Sequence, residues 1–187
     1  MADSALPLRE RLTAVSTTFE SMGLNKALLQ ALASTGYAKP TPIQEKAIPD
    51  VMAGKDLLGI AQTGTGKTAA FALPILHRLA ENRIPPRPRT TRVLVLSPTR
   101  ELATQIGDSF KAYGAHLGFR VAVIFGGVKY GAQERALQQG LDILIAAPGR
   151  LLDHIQQKNL DLSSTEIFVL DEADQMLDLG FIKPIRQ

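Results

Sequence analysis

Short apolar runs alternate with longer amphipathic stretches along most of the chain. Five runs are almost continuously apolar, which is typical of parallel strands buried on both faces: Leu57–Ala61, Val93–Ser97, Arg120–Phe125, Asp142–Ala146 and Ile167–Leu170. Helical spacing follows the first four, at Lys67–Ala80, Arg100–Leu117, Tyr130–Gln139 and Pro148–Lys158. Strands that alternate with helices of this length predict an α/β fold, with a doubly wound, mostly parallel β-sheet flanked by helices.

Two further helices are predicted ahead of the first strand. Asn25–Ser34 is followed by Gly36, a residue type that often terminates helices. The second helix begins at Thr41-Pro42-Ile43-Gln44, where Thr41 is the N-cap and Gln44 completes a capping box. Pro49 is expected to kink or end that helix. No internal repeat is present, so one domain is the simplest organisation.

Composition limits the kinds of site that the chain can carry. It contains no cysteine, which excludes disulfides, thiolate zinc sites, iron–sulfur clusters and a cysteine nucleophile. His77, His116 and His154 lack ligand spacing, and we expect them at surface or boundary positions. The longest apolar run, Ala69–Leu76, is much shorter than the roughly 20 residues of a membrane span. Residues 1–18 are interpreted as a polar leader without a secretory signal, and a cytoplasmic location is expected.

Charge is unevenly distributed although the chain carries only +3 overall. Residues 76–150 carry a net charge of +6 and include a basic proline-rich loop, PPRPR, at 85–89, whereas residues 151–187 carry −4. This asymmetry suits a surface that meets polyanions, but a randomly charged solvated face accounts for it equally well.

A glycine-rich segment follows the first predicted strand. Ala61-Gln62-Thr63-Gly64-Thr65-Gly66-Lys67-Thr68 matches G-x-x-x-x-G-K-[ST], except that Ala61 replaces the first glycine. Its backbone N–H groups and the start of the next helix predict an anion cradle. Lys67 is placed to reach β- and γ-phosphate oxygens, and the Thr68 hydroxyl to bind Mg²⁺. The strand–loop–helix context favours this interpretation over an ordinary glycine turn.

An acidic segment, Asp171-Glu172-Ala173-Asp174, follows the last predicted strand. The carboxyl ends of parallel strands are where such sheets bind ligands. With the phosphate loop, Asp171 is predicted to hold Mg²⁺ and Glu172 to act as the general base on an attacking water. The alternative interpretation is that these acidic residues only stabilise the N-terminus of the next helix.

With these motifs the chain closely resembles the N-terminal RecA-like domain of DEAD-box RNA helicases. The residues around the motifs resemble the bacterial RhlE-type branch of that family. Asp171-Glu172-Ala173-Asp174 spells the family's name. The resemblance also rests on Phe19, Gly36-Tyr37, Pro40-Thr41-Pro42-Ile43-Gln44, the phosphate loop, Pro98-Thr99-Arg100-Glu101-Leu102, Gly126-Gly127 and Pro148-Gly149-Arg150. It implies that residues 19–187 form a P-loop NTPase domain that binds ATP and Mg²⁺.

The resemblance also implies individual roles. Gln44 would read adenine and Phe19 would pack against the base, although the capping box alone explains Gln44. ATP would be held by Gln62, Thr63, Gly64, Thr65, Gly66, Lys67 and Thr68, with Lys67, Asp171 and Glu172 catalytic. RNA would be bound through its sugar-phosphate backbone, without strong sequence specificity, by Pro98, Thr99, Arg100, Gly126, Gly127, Pro148, Gly149 and Arg150.

Two departures from the family pattern affect these expectations. Ala147 stands where the family usually has threonine, which removes one hydroxyl contact to RNA. The family's Ser-Ala-Thr motif and second RecA-like domain are expected to be missing from these 187 residues, so the chain alone is expected to hydrolyse ATP very slowly and not to unwind RNA. A non-catalytic nucleotide- and RNA-binding module and another P-loop enzyme, such as a DNA motor or small-molecule kinase, are the alternatives.

Overall fold

Four parallel strands and seven helices make up the part of the chain that the computed structural model describes, which is residues 17–60, 62 and 64–181. The strands are β1 (Thr91–Leu96), β2 (Val121–Ile124), β3 (Leu141–Ala146) and β4 (Ile167–Leu170). The helices are α1 (Lys26–Ser34), α2 (Pro42–Met52), α3 (Lys67–Glu81), α4 (Arg100–Tyr113), α5 (Tyr130–Gln138), α6 (Pro148–Gln156) and α7 (Ala173–Asp178).

The sheet has the strand order β2-β3-β1-β4, and every pairing is parallel. Val95 lies opposite Ile145 of β3 and Val169 of β4, so β1 occupies the interior of the sheet. Helices α4, α5 and α6 connect successive strands. The predicted parallel α/β class and four of the five predicted strands are therefore confirmed.

The strand predicted at Leu57–Ala61 is wrong over its described residues. Residues 55–60 form no regular secondary structure, and Leu58 and Ile60 are 87% and 88% exposed. An apolar run becomes a strand only where a neighbouring strand satisfies its backbone groups. No described strand pairs with this segment, so its side chains stay at the surface; Ala61 lies outside the described residues.

Helix α2 begins as its sequence predicts and continues past its internal proline. Thr41 is the N-cap, Pro42 is the first helical residue and Gln44 completes the capping box. The helix reaches Met52, three residues beyond Pro49, so the proline does not end it at once. Upstream, Asn25 caps α1 by accepting a hydrogen bond from the Ala27 N–H at 2.9 Å.

Two apolar clusters cover opposite faces of the sheet. On one face Val93, Val95, Ile143 and Ile145 pack under helices α1 to α4. On the other, Leu94, Leu96, Leu144 and Ala146 meet α5, α6 and Met176 of α7. Successive side chains of β1 and β3 thus alternate between two cores, which makes a three-layer α/β/α architecture.

The amino ends of the strands lie at the edge opposite the predicted site. Arg92 of β1 is buried there and forms a bidentate ion pair with Glu166, with distances of 2.6 and 3.1 Å. The basic loop at 85–89 covers this edge, and the Arg89 N–H donates to the Leu137 carbonyl at 3.0 Å. In the described ranges, no helix combines the length and apolar character that a bilayer crossing requires.

Candidate functional site

The phosphate loop leads directly into α3. Gly66 is the N-cap of that helix with φ of +89°, a backbone conformation that glycine adopts without a steric cost. Gln62 and Gly64 are exposed, whereas Thr65, Lys67 and Thr68 are half-buried. Thr63 lies outside the described residues. Most of the predicted loop therefore stands at the start of a fifteen-residue helix, where the helix dipole attracts anions.

Gln44 and Thr41 connect α2 to the phosphate loop. The Gln44 Oε1 accepts from the Thr41 N–H at 3.0 Å, and its Nε2 donates to the Gly66 carbonyl at 3.1 Å. The Thr41 hydroxyl donates to the Thr65 carbonyl at 2.9 Å. Gln44 is fully buried, so its carboxamide is engaged within the protein. Phe19, its predicted partner at the base, is buried in the first apolar cluster and only 3% exposed.

Lys67 and Glu172 lie 105 residues apart in sequence and form an ion pair, with 2.7 Å between Nζ and Oε1. The hydrogen bond that Lys67 donates to Glu172 raises the pKa of Lys67, which stays charged. Glu172 adopts a left-handed conformation with φ of +50°, and such strain in a non-glycine residue is frequent at functional sites. The lysine predicted to bind the phosphates and the carboxylate predicted to act as general base are thus in direct contact.

Asp171 lies beside this pair, directly after β4, and its N–H donates to the Leu96 carbonyl at 3.0 Å. Burial, and then the charge of Glu172, raise the pKa of the Asp171 carboxyl. A divalent cation would relieve both costs. Among the described residues no group of three or more acidic or histidine side chains could hold a metal alone. One carboxylate with the Thr68 hydroxyl fits Mg²⁺ that takes its other ligands from phosphates and water.

A second group of predicted residues meets where β1, β2 and β3 end. These strands are neighbours in the sheet, so the segments that follow them lie side by side. Arg100 begins α4, and its guanidinium lies 4.9 Å from the centre of the Phe125 ring. A Cβ on Gly127 would be 3.5 Å from the Arg100 Nη1. Arg100 and the glycine turn therefore share one surface.

The other predicted RNA-binding residues differ in their exposure. Gly126, Gly127 and Gly149 are exposed, whereas Pro98 and Pro148 are buried at helix starts. Thr99 caps α4 by accepting from the Leu102 N–H at 3.2 Å. Ala147, which has no hydroxyl, caps α6 without a side-chain hydrogen bond.

Arg150 lies in a cluster that the sequence did not reveal. Its side chain is 13% exposed, and its guanidinium stands 5.3 Å from the centre of the Tyr130 ring. Tyr130 stacks on His154 with 4.3 Å between ring centres. Gln133 contacts both Arg150 and His154 at 3.4 Å. The only sequence signal was position: Gln133 follows the glycine pair by six residues, on the buried side of α5.

His154 corrects the expectation that all three histidines lie at the surface or its boundary. It is fully buried and its ring stacks on Tyr130, whereas His116 is exposed. Burial, and then the charge of Arg150, lower the pKa of His154, against smaller opposing effects of Asp153 and Glu134. The ring is therefore neutral in the folded chain at neutral pH.

The lowered pKa of His154 predicts acid sensitivity. The unfolded chain takes up a proton near pH 6.5 while the folded chain resists it, so the stabilisation is present above that pH and is lost as pH falls through the lower folded pKa. We expect His154→Phe to flatten the fall of the melting temperature between pH 7 and pH 5. His116→Gln is the control and should keep the wild-type slope. Equal slopes for wild type and His154→Phe would contradict this assignment.

Comparison with known proteins places these motifs in a family context. Residues 41–187 match the family model described as DEAD/DEAH box helicase. The ATP-dependent RNA helicase DeaD of Klebsiella pneumoniae is 49% identical over 170 residues, which are 90% of this chain and 26% of that protein. The ATP-dependent RNA helicase RhlB of Xanthomonas oryzae pv. oryzae is 49% identical over 172 residues, or 90% of this chain and 30% of that protein. The chain thus spans between a quarter and a third of these relatives, and the RhlE-type branch stays a prediction.

Solved structures show the same fold. The RNA helicase Prp28 of Chaetomium thermophilum bound to ADP has a TM-score of 0.83 and 41% identity, covering 90% of this chain and 41% of that one. A DEAD box protein from Methanococcus jannaschii has a TM-score of 0.82 and 37% identity, covering 90% and 45% respectively.

Proposed function

The chain belongs to the DEAD/DEAH box helicase family, and on that premise we propose that residues 19–187 form the N-terminal, ATP- and RNA-binding RecA-like domain of an ATP-dependent RNA helicase. In the whole protein, Mg-ATP hydrolysis would be coupled to local unwinding of RNA duplexes. The relatives named above carry the helicase activity in their names. A second RecA-like domain as partner and a cytoplasmic location are part of this proposal.

The contact between Lys67 and Glu172 is the observation that carries the nucleotide part of the proposal. It brings a cation from the phosphate loop to the carboxylate that follows β4, at 2.7 Å. In the proposed complex, loop residues 62–68 cradle the phosphates, and Lys67 leaves Glu172 to bind them. Thr68 and Asp171 would hold Mg²⁺, which would supply positive charge next to the phosphates. Glu172, once free, orients and deprotonates the attacking water.

Adenine recognition by Gln44 needs a change from the conformation described above. A carboxamide both donates and accepts, as the adenine edge requires. In this conformation its oxygen accepts from Thr41 and its nitrogen donates to Gly66. Since Gln44 touches the loop itself, nucleotide binding that moves Gly66 would also release the carboxamide. Phe19 lies in the buried core, and its contact with the base would need a similar movement.

The RNA part of the proposal is supported by the surface at the ends of β1, β2 and β3. Exposed Arg100, the exposed Gly126-Gly127 turn and the start of α6 are neighbours there, as the sheet order requires. Backbone N–H groups at helix starts, together with arginine, suit phosphates and do not distinguish bases. We therefore propose binding through the sugar-phosphate backbone, with strong dependence on salt.

A binding module without catalysis is the second candidate for this chain. The Lys67–Glu172 pair favours this candidate. In one contact it occupies both the lysine that would bind phosphate and the carboxylate that would act as general base. Hydrolysis would then await a partner that opens the pair. Both candidates require nucleotide binding.

Calorimetric titration tests the nucleotide assignment. We expect saturable binding of MgADP and at least about tenfold weaker binding of MgGDP. The hydrogen-bonding edge of guanine would not match the Gln44 carboxamide, and an unmatched buried hydrogen bond lowers affinity by about that factor. Lys67→Met should weaken MgADP binding by at least about tenfold with an unchanged circular dichroism spectrum, because it removes the phosphate cation. Equal affinity for both nucleotides would remove Gln44 as the adenine reader. Undiminished binding by Lys67→Met would overturn the phosphate-loop assignment.

A further inference from the structure

The exposed glycine turn has few contacts of its own. Residues 126–129 are all exposed, and the two glycines offer no side chains to pack. The position of the turn therefore depends on the residues at its two ends, Phe125 and Tyr130. Gln133, for which no role was predicted, contacts Phe125 directly and reaches Tyr130 through Arg150 and His154.

Gln133 holds the first end of the turn. Its Nε2 donates to the Phe125 carbonyl at 3.0 Å, and the residue is only 7% exposed. The ring of the same phenylalanine contacts the Arg100 guanidinium. One hydrogen bond thus fixes the backbone just before Gly126, and one cation–π contact ties that residue to the start of α4.

The same carboxamide reaches α6. Its Oε1 lies 3.4 Å from the Arg150 Nη1 and 3.4 Å from the His154 Nε2. Arg150 and His154 also pack on Tyr130, the second end of the turn, through a cation–π contact and a stacked ring pair. The Tyr130 hydroxyl accepts from the Asn159 Nδ2 at 3.3 Å. The turn is therefore clamped at both ends by the cluster around Arg150.

The chemistry of this position suits an amide. The Phe125 carbonyl only accepts hydrogen bonds, and the Arg150 guanidinium only donates them. A side chain between them must donate at one atom and accept at another, which fixes the orientation of the Gln133 carboxamide. A carboxylate would place an acceptor against the Phe125 carbonyl. An apolar side chain would leave that half-buried carbonyl without its donor and Arg150 without one of its acceptors.

We propose that Gln133 is a positioning residue for RNA binding. By joining Phe125 to Arg150, it holds the Gly126-Gly127 turn in a fixed place relative to Arg100 and the start of α6, so that neighbouring phosphates of one strand meet a preformed surface. Preformed contacts bind more tightly because less freedom is lost on association. The inference rests on the proposed RNA-binding function, which it deepens.

The test compares Gln133→Met with Gln138→Met. Methionine matches the length of glutamine but neither donates nor accepts strongly, and Gln138 is exposed on the same helix. Affinity for a fluorescein-labelled decauridylate is measured by anisotropy at low ionic strength, beside MgADP affinity by calorimetry. We expect Gln133→Met to weaken RNA binding about five- to tenfold, with MgADP binding unchanged and Gln138→Met like wild type.

Each other outcome has a definite meaning. If Gln133→Met binds RNA as Gln138→Met does, or loses RNA and MgADP affinity in parallel, the positioning role is wrong and the residue only supports the fold. If Gln133→Met does not fold, Gln133→Glu is measured in its place, since it keeps the acceptor for Arg150 but repels the Phe125 carbonyl. RNA affinity of Gln133→Glu at the wild-type level would overturn the inference. If the wild-type chain binds MgADP but no RNA, the RNA part of the proposed function fails, and this inference fails with it.

Discussion

Replacing Glu172 by glutamine is expected to abolish ATP hydrolysis while making nucleotide binding tighter. The loss follows from the role proposed for the carboxylate, because removal of a general base lowers the rate by about 10²–10⁴. The gain follows from the ion pair. Lys67 is held by Glu172 at 2.7 Å, and this contact must break before Lys67 can bind phosphates.

The size of the gain is limited by the exposure of the pair. The two side chains are 25% and 26% exposed, so solvent weakens their attraction. Partly exposed ion pairs contribute about 0.2–1 kcal/mol, which corresponds to up to about fivefold tighter binding once the charge is removed. Tighter nucleotide binding by Glu172→Gln would show that the ion pair competes with phosphate for Lys67. In a phosphate loop without this ion pair, Glu172→Gln would leave the affinity for nucleotide unaltered.

Single-turnover hydrolysis and MgADP titration measure the two effects on the same protein samples. Asp178→Asn is the matched control, because it removes one negative charge from the exposed end of α7. It should change neither quantity. Hydrolysis that survives in Glu172→Gln would show that another residue is the base, and weaker nucleotide binding would show that the ion pair does not compete with phosphate.

Gly140→Ala is expected to be the most destabilising single-methyl change in the described part of the chain. Gly140 has φ of +74°, and an added Cβ would collide with the Arg87 carbonyl and lie 2.9 Å from the Pro86 carbonyl. These atoms belong to the backbone of the proline-rich loop, which cannot rotate away as a side chain would. We expect a loss of about 3 kcal/mol, from about 1 kcal/mol of backbone strain and about 2 kcal/mol of steric displacement.

Gly118→Ala separates these two costs. Gly118 has a similar φ of +68°, but nothing lies within 4 Å of its added Cβ. Only the strain of about 1 kcal/mol should remain there. Urea unfolding followed by circular dichroism gives both free energies. Similar losses for the two variants would mean that the loop at 85–89 yields to the methyl group and does not pack firmly on the start of β3.

Much of the fold could be predicted from the sequence because each of the four strands is a short, almost continuously apolar run. The β4 prediction matches residue for residue, and β1 to β3 differ by one or two residues at their ends. Leu57–Ala61 has the same pattern and yet forms no strand over its described residues. Whether such a segment forms a strand depends on the presence of a partner strand, and the local sequence pattern carries no information about that partner.

The site divides in a similar way. The phosphate loop and Asp171-Glu172 could be found because their chemistry needs fixed residue types at fixed spacings. The Lys67–Glu172 contact, the engagement of Gln44 with Gly66 and the bridge at Gln133 could not, since each joins residues whose separation is set by packing. A glutamine on the buried side of an amphipathic helix looks like any other polar interruption until its partners are known.

The outer edge of β4 has a practical consequence for work with this chain. Phe168 is 55% exposed there, and no strand in the described ranges pairs with that edge. Unpaired backbone groups beside an exposed aromatic ring are a template on which another extended chain can add. We therefore expect this edge of the fold to promote association of the purified chain. Kosmotropic salts such as sulfate, which strengthen apolar contacts, should precipitate the chain through this edge.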